Sequence, residues 1–187
     1  MFNQIQYLQS TARADVAKIY IAAFDRVPDS AGLDFWVNSY MAGKDTLSSI
    51  ATKFTSSTEY ATAYPSYLQD SEYVARIYTN VFNRTADTDG QTFWVNHLAA
   101  GTLTRGTLMK AMVDAAAANS STDGAMLANQ ASFGVWAAVN QVPFATANAQ
   151  LSSITSVEST LTAAQTAVAG SVGGTTGQSF SVTAGID

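Results

Sequence analysis

Residues 19–38, IYIAAFDRVPDSAGLDFWVN, return as residues 77–96, IYTNVFNRTADTDGQTFWVN, at an offset of 58. A repeat of this period is one supersecondary unit that cannot bury its apolar face alone, so the copies must stack on a shared core. Within each copy the apolar residues first recur at helical spacing: Val16, Ile19, Tyr20, Ala23 and Phe24, then Val74, Ile77, Tyr78, Val81 and Phe82. Each of these helices is expected to stop at Asp25-Arg26 or Asn83-Arg84. A short polar turn then leads to a second helix headed by Asp29 or Asp87, whose carboxylates suit the orphan N–H groups of a first turn.

The second helix is expected to set Leu33, Trp36, Val37 and Tyr40 on its core face in copy one, and Phe93, Trp94 and Leu98 in copy two. It ends at Gly43 or Gly101, where a left-handed residue is expected. Thr46 caps a third helix carrying Leu47, Ile50, Ala51 and Phe54; Thr104 precedes its counterpart with Leu108, Met112 and Val113. Ser57 to Tyr64 reads as a short helix terminated by Pro65. The fold class is therefore all-α: a helical bundle of repeated helix–corner–helix units, with copies at about 12–56 and 70–118.

A degenerate third copy over 123–168 is suggested by Val139-Asn140-Gln141-Val142-Pro143, which stands where Phe24-Asp25-Arg26-Val27-Pro28 stands, with Trp136 near the expected aromatic position. It lacks the Gly and Trp of the second helix. Helices are expected over 123–141 and over 146–168, the latter from the spacing of Leu151, Ile154, Val157 and Leu161. From Ala169 the composition turns to Gly, Ser, Thr and Val, an extended tail or linker in which Ser179 to Ala184 alternates like a strand.

Apolar residues make up 47% and only 12% are charged, so the surface must be covered largely by Ser, Thr, Asn and Gln. The net charge of −5 and nine scattered Lys and Arg disfavour sequence-independent nucleic-acid binding, which needs clustered cations. With no cysteine, disulfides and thiolate metal sites are excluded. No apolar run reaches the roughly 20 residues of a membrane span, and the first 25 residues lack a signal-peptide pattern. An exported chain would carry its address elsewhere, for instance at the C-terminus of a longer parent.

The pattern Y-x-x-x-F-x-R-x-x-D-x-x-G-x-x-x-W is met at Tyr20, Phe24, Arg26, Asp29, Gly32 and Trp36, and again at Tyr78, Phe82, Arg84, Asp87, Gly90 and Trp94. It resembles a helical domain family of unknown function, distantly similar to phycobilisome linker domains, found in bacterial S-layer proteins and in repeat-containing adhesins exported by type I secretion. The resemblance covers about residues 10–165. It implies a secreted, cell-surface location on the outer face of a Gram-negative outer membrane, and anchoring to lipopolysaccharide by the N-terminal helical region. Calcium is implied for the glycine-aspartate repeats of such parents. Copies of the chain itself in a lattice are implied partners.

Arg26 and Arg84 follow a helix end and precede a capping Asp by three residues, so they are expected to fix the corner by bonding last-turn carbonyls or that Asp. Asp87-Thr88-Asp89-Gly90 starts like a calcium loop, making Asp87 and Asp89 the metal candidates. A complete loop needs further oxygen ligands and a late bidentate Glu, whereas Gln91, Thr92 and Phe93 follow; helix capping accounts for the same residues more simply. Trp36 and Trp94 lie in apolar stripes and are expected to be buried. Asn38, Tyr40, Asn96 and His97 are the glycan candidates, because hydroxyl-rich ligands need paired donors and acceptors.

His97 is the only histidine, and no nucleophile or phosphate-loop motif accompanies it, so an enzyme is not expected. A surface-anchoring module that binds bacterial glycan is the leading expectation. A protein–protein scaffold, which would need an exposed apolar patch, is the alternative.

Overall fold

A computed structural model describes residues 4–118 and 122–171. Copy one folds as α1 (Gln4–Phe24), α2 (Ser30–Met41) and α3 (Leu47–Phe54). The short α4 (Thr58–Ala63) leads into copy two: α5 (Asp70–Phe82), α6 (Thr88–Ala99) and α7 (Arg105–Ala118). Then come α8 (Thr122–Val139), α9 (Phe144–Asn148) and α10 (Glu158–Val168), with 3-10 turns at Leu151–Ser153 and Ala169–Ser171. No strand occurs among the described residues. The alternation at Ser179 to Ala184 lies outside them.

Local chemistry sets the boundaries. Asp29 and Asp87 accept from the Gly32 and Gly90 amides at 2.8 and 2.7 Å, capping α2 and α6. Thr46 and Ser49 form a reciprocal capping box on α3, and Thr104 with Thr107 does the same on α7. Gly43 and Gly101 take φ values of +68° and +66° directly after α2 and α6, where a Cβ would be strained. Ser57 caps α4, and Pro65 follows its end.

The helix of copy one is the axis of the molecule. α1 packs against α2, α3, α5, α7 and α8, and from Ile19 to Ala23 every residue is at most 5% exposed. Burial on all sides of one helix marks the core of a multi-helix assembly. α3 and α7 cross closely, with Gly106 lying against the backbone of Thr52.

The left-handed corner occurs a third time, in an altered form. Three non-glycine residues take left-handed φ: Asp25 (50°), Asn83 (48°) and Gln141 (53°). Successive members stand 58 residues apart, so the left-handed corner recurs at the full repeat offset. The third corner is one residue shorter before its proline, because Pro143 follows Gln141 by two positions and Pro28 follows Asp25 by three. The residue lost is the one corresponding to the corner arginine, so Gln141 stands at the position of Asp25 and not, as expected from the sequence, at that of Arg26.

Two expectations are corrected. The helix expected over 146–168 is broken: α9 ends at Asn148, and 3-10 and extended residues intervene before α10. The Thr155 amide donates to Thr160 Oγ1 (2.9 Å), and the Val157 amide donates to Thr155 Oγ1 (3.2 Å). These local bonds offer the backbone an alternative to the helix, and Val157 emerges 58% exposed. Phe93 also leaves the core face on which it was placed and is 54% exposed.

Candidate functional site

The repeated motif builds the corners, and its parts touch one another. In copy one the Arg26 guanidinium lies 5.1 Å from the Tyr20 ring centre and 5.2 Å from that of Phe24. In copy two Arg84 lies 5.1 and 5.5 Å from Tyr78 and Phe82. Each tyrosine hydroxyl leans over the motif glycine: a Cβ on Gly32 would meet the Tyr20 hydroxyl at 2.5 Å, and one on Gly90 the Tyr78 hydroxyl at 2.7 Å. Glycine is therefore required there by close approach. Burial first, then the Asp29 carboxylate, pushes the Tyr20 hydroxyl up to about 12, against opposing effects from Arg26 and Trp36.

Both arginines reach the aspartate of their own turn, at 4.0 Å (Asp29) and 3.7 Å (Asp87). They also tie the corner to a later element. Arg26 grips both carboxylate oxygens of Glu59 on α4 and donates to the Val27 carbonyl. Arg84 donates to Asp123 in the first turn of α8 at 3.2 and 3.3 Å. The motif is accordingly a structural clasp, with its charges consumed internally.

An exposed aromatic surface lies on the second helices. Phe35 and Phe93 occupy the same repeat position and are 64% and 54% exposed. Each stands edge-on to its neighbouring indole, Phe35–Trp36 at 4.8 Å and 84°, Phe93–Trp94 at 4.9 Å and 83°. Trp36 and Trp94 are half-buried and pack against the core, so each pins an exposed phenyl ring. Asn38 and Asn96 follow three residues later and are exposed. On a helix, i and i+3 are neighbours on one face, so each copy presents an aromatic ring beside an amide.

The other expected ligand residues are placed differently. Tyr40 is half-buried against the core. The His97 ring stands edge-on to Phe93 at 4.6 Å, with Nδ1 at 2.8 Å from the Thr102 hydroxyl. The exposed phenylalanines were missed by sequence reasoning, although a signal existed. With Leu33 and Val37 facing the core one turn apart, position 35 between them must point away.

Asp87 is held below the usual carboxylate range, chiefly by the Gly90 amide that it caps. Asp89 is exposed in the first turn of α6. Among the described residues no group of three or more His, Asp or Glu converges as a metal cage would require, and no helix is long and apolar enough to cross a membrane.

Two overlapping stretches, residues 4–64 and 51–121, match the family described as a domain of unknown function, DUF4214. Each stretch spans one corner motif. No curated protein and no solved structure matches the chain. With residues 4–121 covered, well over half of its length and both complete clasps, the chain belongs to the DUF4214 family.

Proposed function

We propose that this chain is a non-enzymatic anchoring module that holds a bacterial surface glycan, such as the O-antigen of lipopolysaccharide, through the repeated Phe–Asn face of α2 and α6. The observation that carries the reading is the pair Phe35 and Phe93. Two large rings are kept exposed at equivalent positions, each braced by an indole and flanked by an exposed amide, Asn38 or Asn96. An aromatic face accepts the apolar side of a sugar ring, while an amide supplies a donor and an acceptor to its hydroxyls. His97 extends this face in copy two.

The larger setting belongs to the same proposal: a secreted S-layer or adhesin parent, exported by a type I route, with calcium in its other parts. Two weak sites on a repeating polymer would give firm attachment through effective concentration. The contact is uncharged, so binding should change little with salt.

The test is a titration of the purified chain with lipopolysaccharide from the producing strain. Phe35→Ala with Phe93→Ala should remove binding while the melting temperature stays put. Undiminished binding by that double variant would sink the reading.

The same exposed rings also suit a protein partner, the scaffold alternative. A pull-down from cells lacking surface glycan separates the two, since only a protein partner would persist there.

A further inference from the structure

A chemically different opening lies at the seam between the copies, where the ends of α1 and α4 meet α5. It is a cleft of about 310 Å3. Ala23, Phe24, Ala63 and Tyr64 form its apolar wall, and Asp25, Arg76, Thr79 and Asn80 bring polar groups to it.

These polar groups are held in defined roles. The Asn80 amide nitrogen donates to the Ala22 carbonyl (3.0 Å) and to the Tyr64 hydroxyl (3.1 Å), which leaves Oδ1 as its accepting end. Arg76 is exposed and donates one N–H to the Ala63 carbonyl at the end of α4, keeping the rest of its fork. Asp25 sits at the left-handed corner residue. Asp25 and Arg76 line one cleft without closing to the 4.0 Å of an ion pair.

One repeat further on, the positions of Arg76, Thr79 and Asn80 are Gly134, Ala137 and Ala138, all buried, and Gly134 lies against Val27 and Pro28.

A carboxylate and a guanidinium that share a cleft without pairing leave room for a ligand that bridges them. We propose that the seam cleft binds a free α-amino acid, with its carboxylate on Arg76, its ammonium on Asp25 and Asn80 Oδ1, and its side chain against Phe24 and Tyr64. Arg76 offers a planar fork suited to a carboxylate, and the ammonium group has donors for both acceptors. The volume is that of a small-ligand site. The proposal stands apart from the glycan reading and uses none of its residues.

The experiment is a 1H–15N NMR titration of the intact chain with each standard L-amino acid, and with the N-acetyl and amide derivatives of any that bind. At least one free amino acid should give saturable shifts confined to the amides around 23–25, 63–64 and 76–80. Blocking either end should weaken binding by roughly tenfold or more. Asp25→Asn installs the residue that copy two carries at the same left-handed position, so it should fold and lose binding. Arg76→Lys keeps the charge without the fork and should weaken binding less than Arg76→Gln. No saturable shift up to about 10 mM, equal binding of the blocked forms, or unchanged affinity in Asp25→Asn would each overturn the proposal.

Discussion

Copy one and copy two share a motif, a left-handed corner and both cap types, yet the second helix of one lies in the core and that of the other at its rim. In copy one, Leu33 and Val37 of α2 are 0% and 3% exposed, while α6 buries no residue at all. The sequence difference is small: Leu33 becomes Gln91, whose amide reaches the Ser71 carbonyl at 3.1 Å. The structural difference comes from α8 and α9. Gly134 of α8 lies against Pro28, Asn148 of α9 accepts from the Val27 amide at 3.1 Å, and Phe144 stands 5.3 Å from the Arg26 guanidinium. The Arg26 side chain is left 16% exposed, against 46% for Arg84. One motif thus produces a core element or a surface element according to what covers it.

The latch between second and third helices differs in the same way. In copy one, buried Asp45 accepts from Ser39 (2.7 Å), Ser49 (2.6 Å) and Lys53 (2.6 Å). The corresponding positions in copy two are Leu103, His97, Thr107 and Ala111. Copy one closes its turn with a network around a buried carboxylate, whereas copy two packs Leu103 against the core and bonds His97 to the Thr102 hydroxyl.

Paired substitutions can break this comparison. The largest contrast is expected at the second helices, where Leu33→Ala should cost about 2–5 kcal/mol by opening a core cavity. Gln91→Ala at the equivalent position should cost under about 1 kcal/mol. Equal losses on chemical denaturation would mean that α6 is as interior as α2.

Next comes the crossing of α3 and α7. A Cβ on Gly106 would meet the Thr52 Cα at 2.7 Å, which is backbone and cannot step aside. Gly106→Ala should therefore destabilise by about 1–3 kcal/mol. Ser48→Ala, at the matching position of copy one, should change stability by less than about 0.5 kcal/mol. Thermal melts of the two variants give the comparison directly.

The latch provides a pH signature. Hydrogen bonds from Lys53, then Ser49 and Ser39, hold the Asp45 carboxyl down to about 2. Its folded value lies below its unfolded value of about 3.9. The contribution is therefore present above that unfolded value and is lost as pH falls towards 2. Asp45→Asn should flatten the loss of melting temperature between pH 4 and pH 2, an interval set by these values. Leu103→Asn should leave the acid slope as it is, and an unaltered slope in Asp45→Asn would remove the latch from the account.

The smallest stability effect is expected where the proposed function lies. Phe35→Ser and Phe93→Ser should each move stability by no more than about 0.5 kcal/mol, because both rings are exposed. A larger loss at either would show that the ring supports the fold and sharpen the comparison against the glycan site.

Much of this was legible in the chain alone, because it rests on short-range chemistry. Helix ends follow from an aspartate or threonine that caps and a glycine that turns left-handed, and the 58-residue offset announces how often they recur. Asp29, Asp87, Thr46, Gly43 and Gly101 all act where the sequence places them. The stretch from 146 to 168 was misread because apolar spacing alone cannot show that Thr155 and Thr160 divert the backbone into local bonds. Phe93 was misread because its identity is apolar, whereas its helix position, like that of Phe35 on the covered α2, points away from the core.

What the sequence by itself determined, then, is the unit: three helices, a left-handed corner and a clasp of Tyr, Phe, Arg, Asp, Gly and Trp, all set by contacts within or near one repeat. Only the tertiary structure decided which second helix became part of the core. It also decided that the clasp arginines bind Glu59 and Asp123. The physical reason is that burial belongs to a neighbourhood. A helix face becomes interior when another element covers it, and α8 and α9 cover copy one while leaving α6 bare.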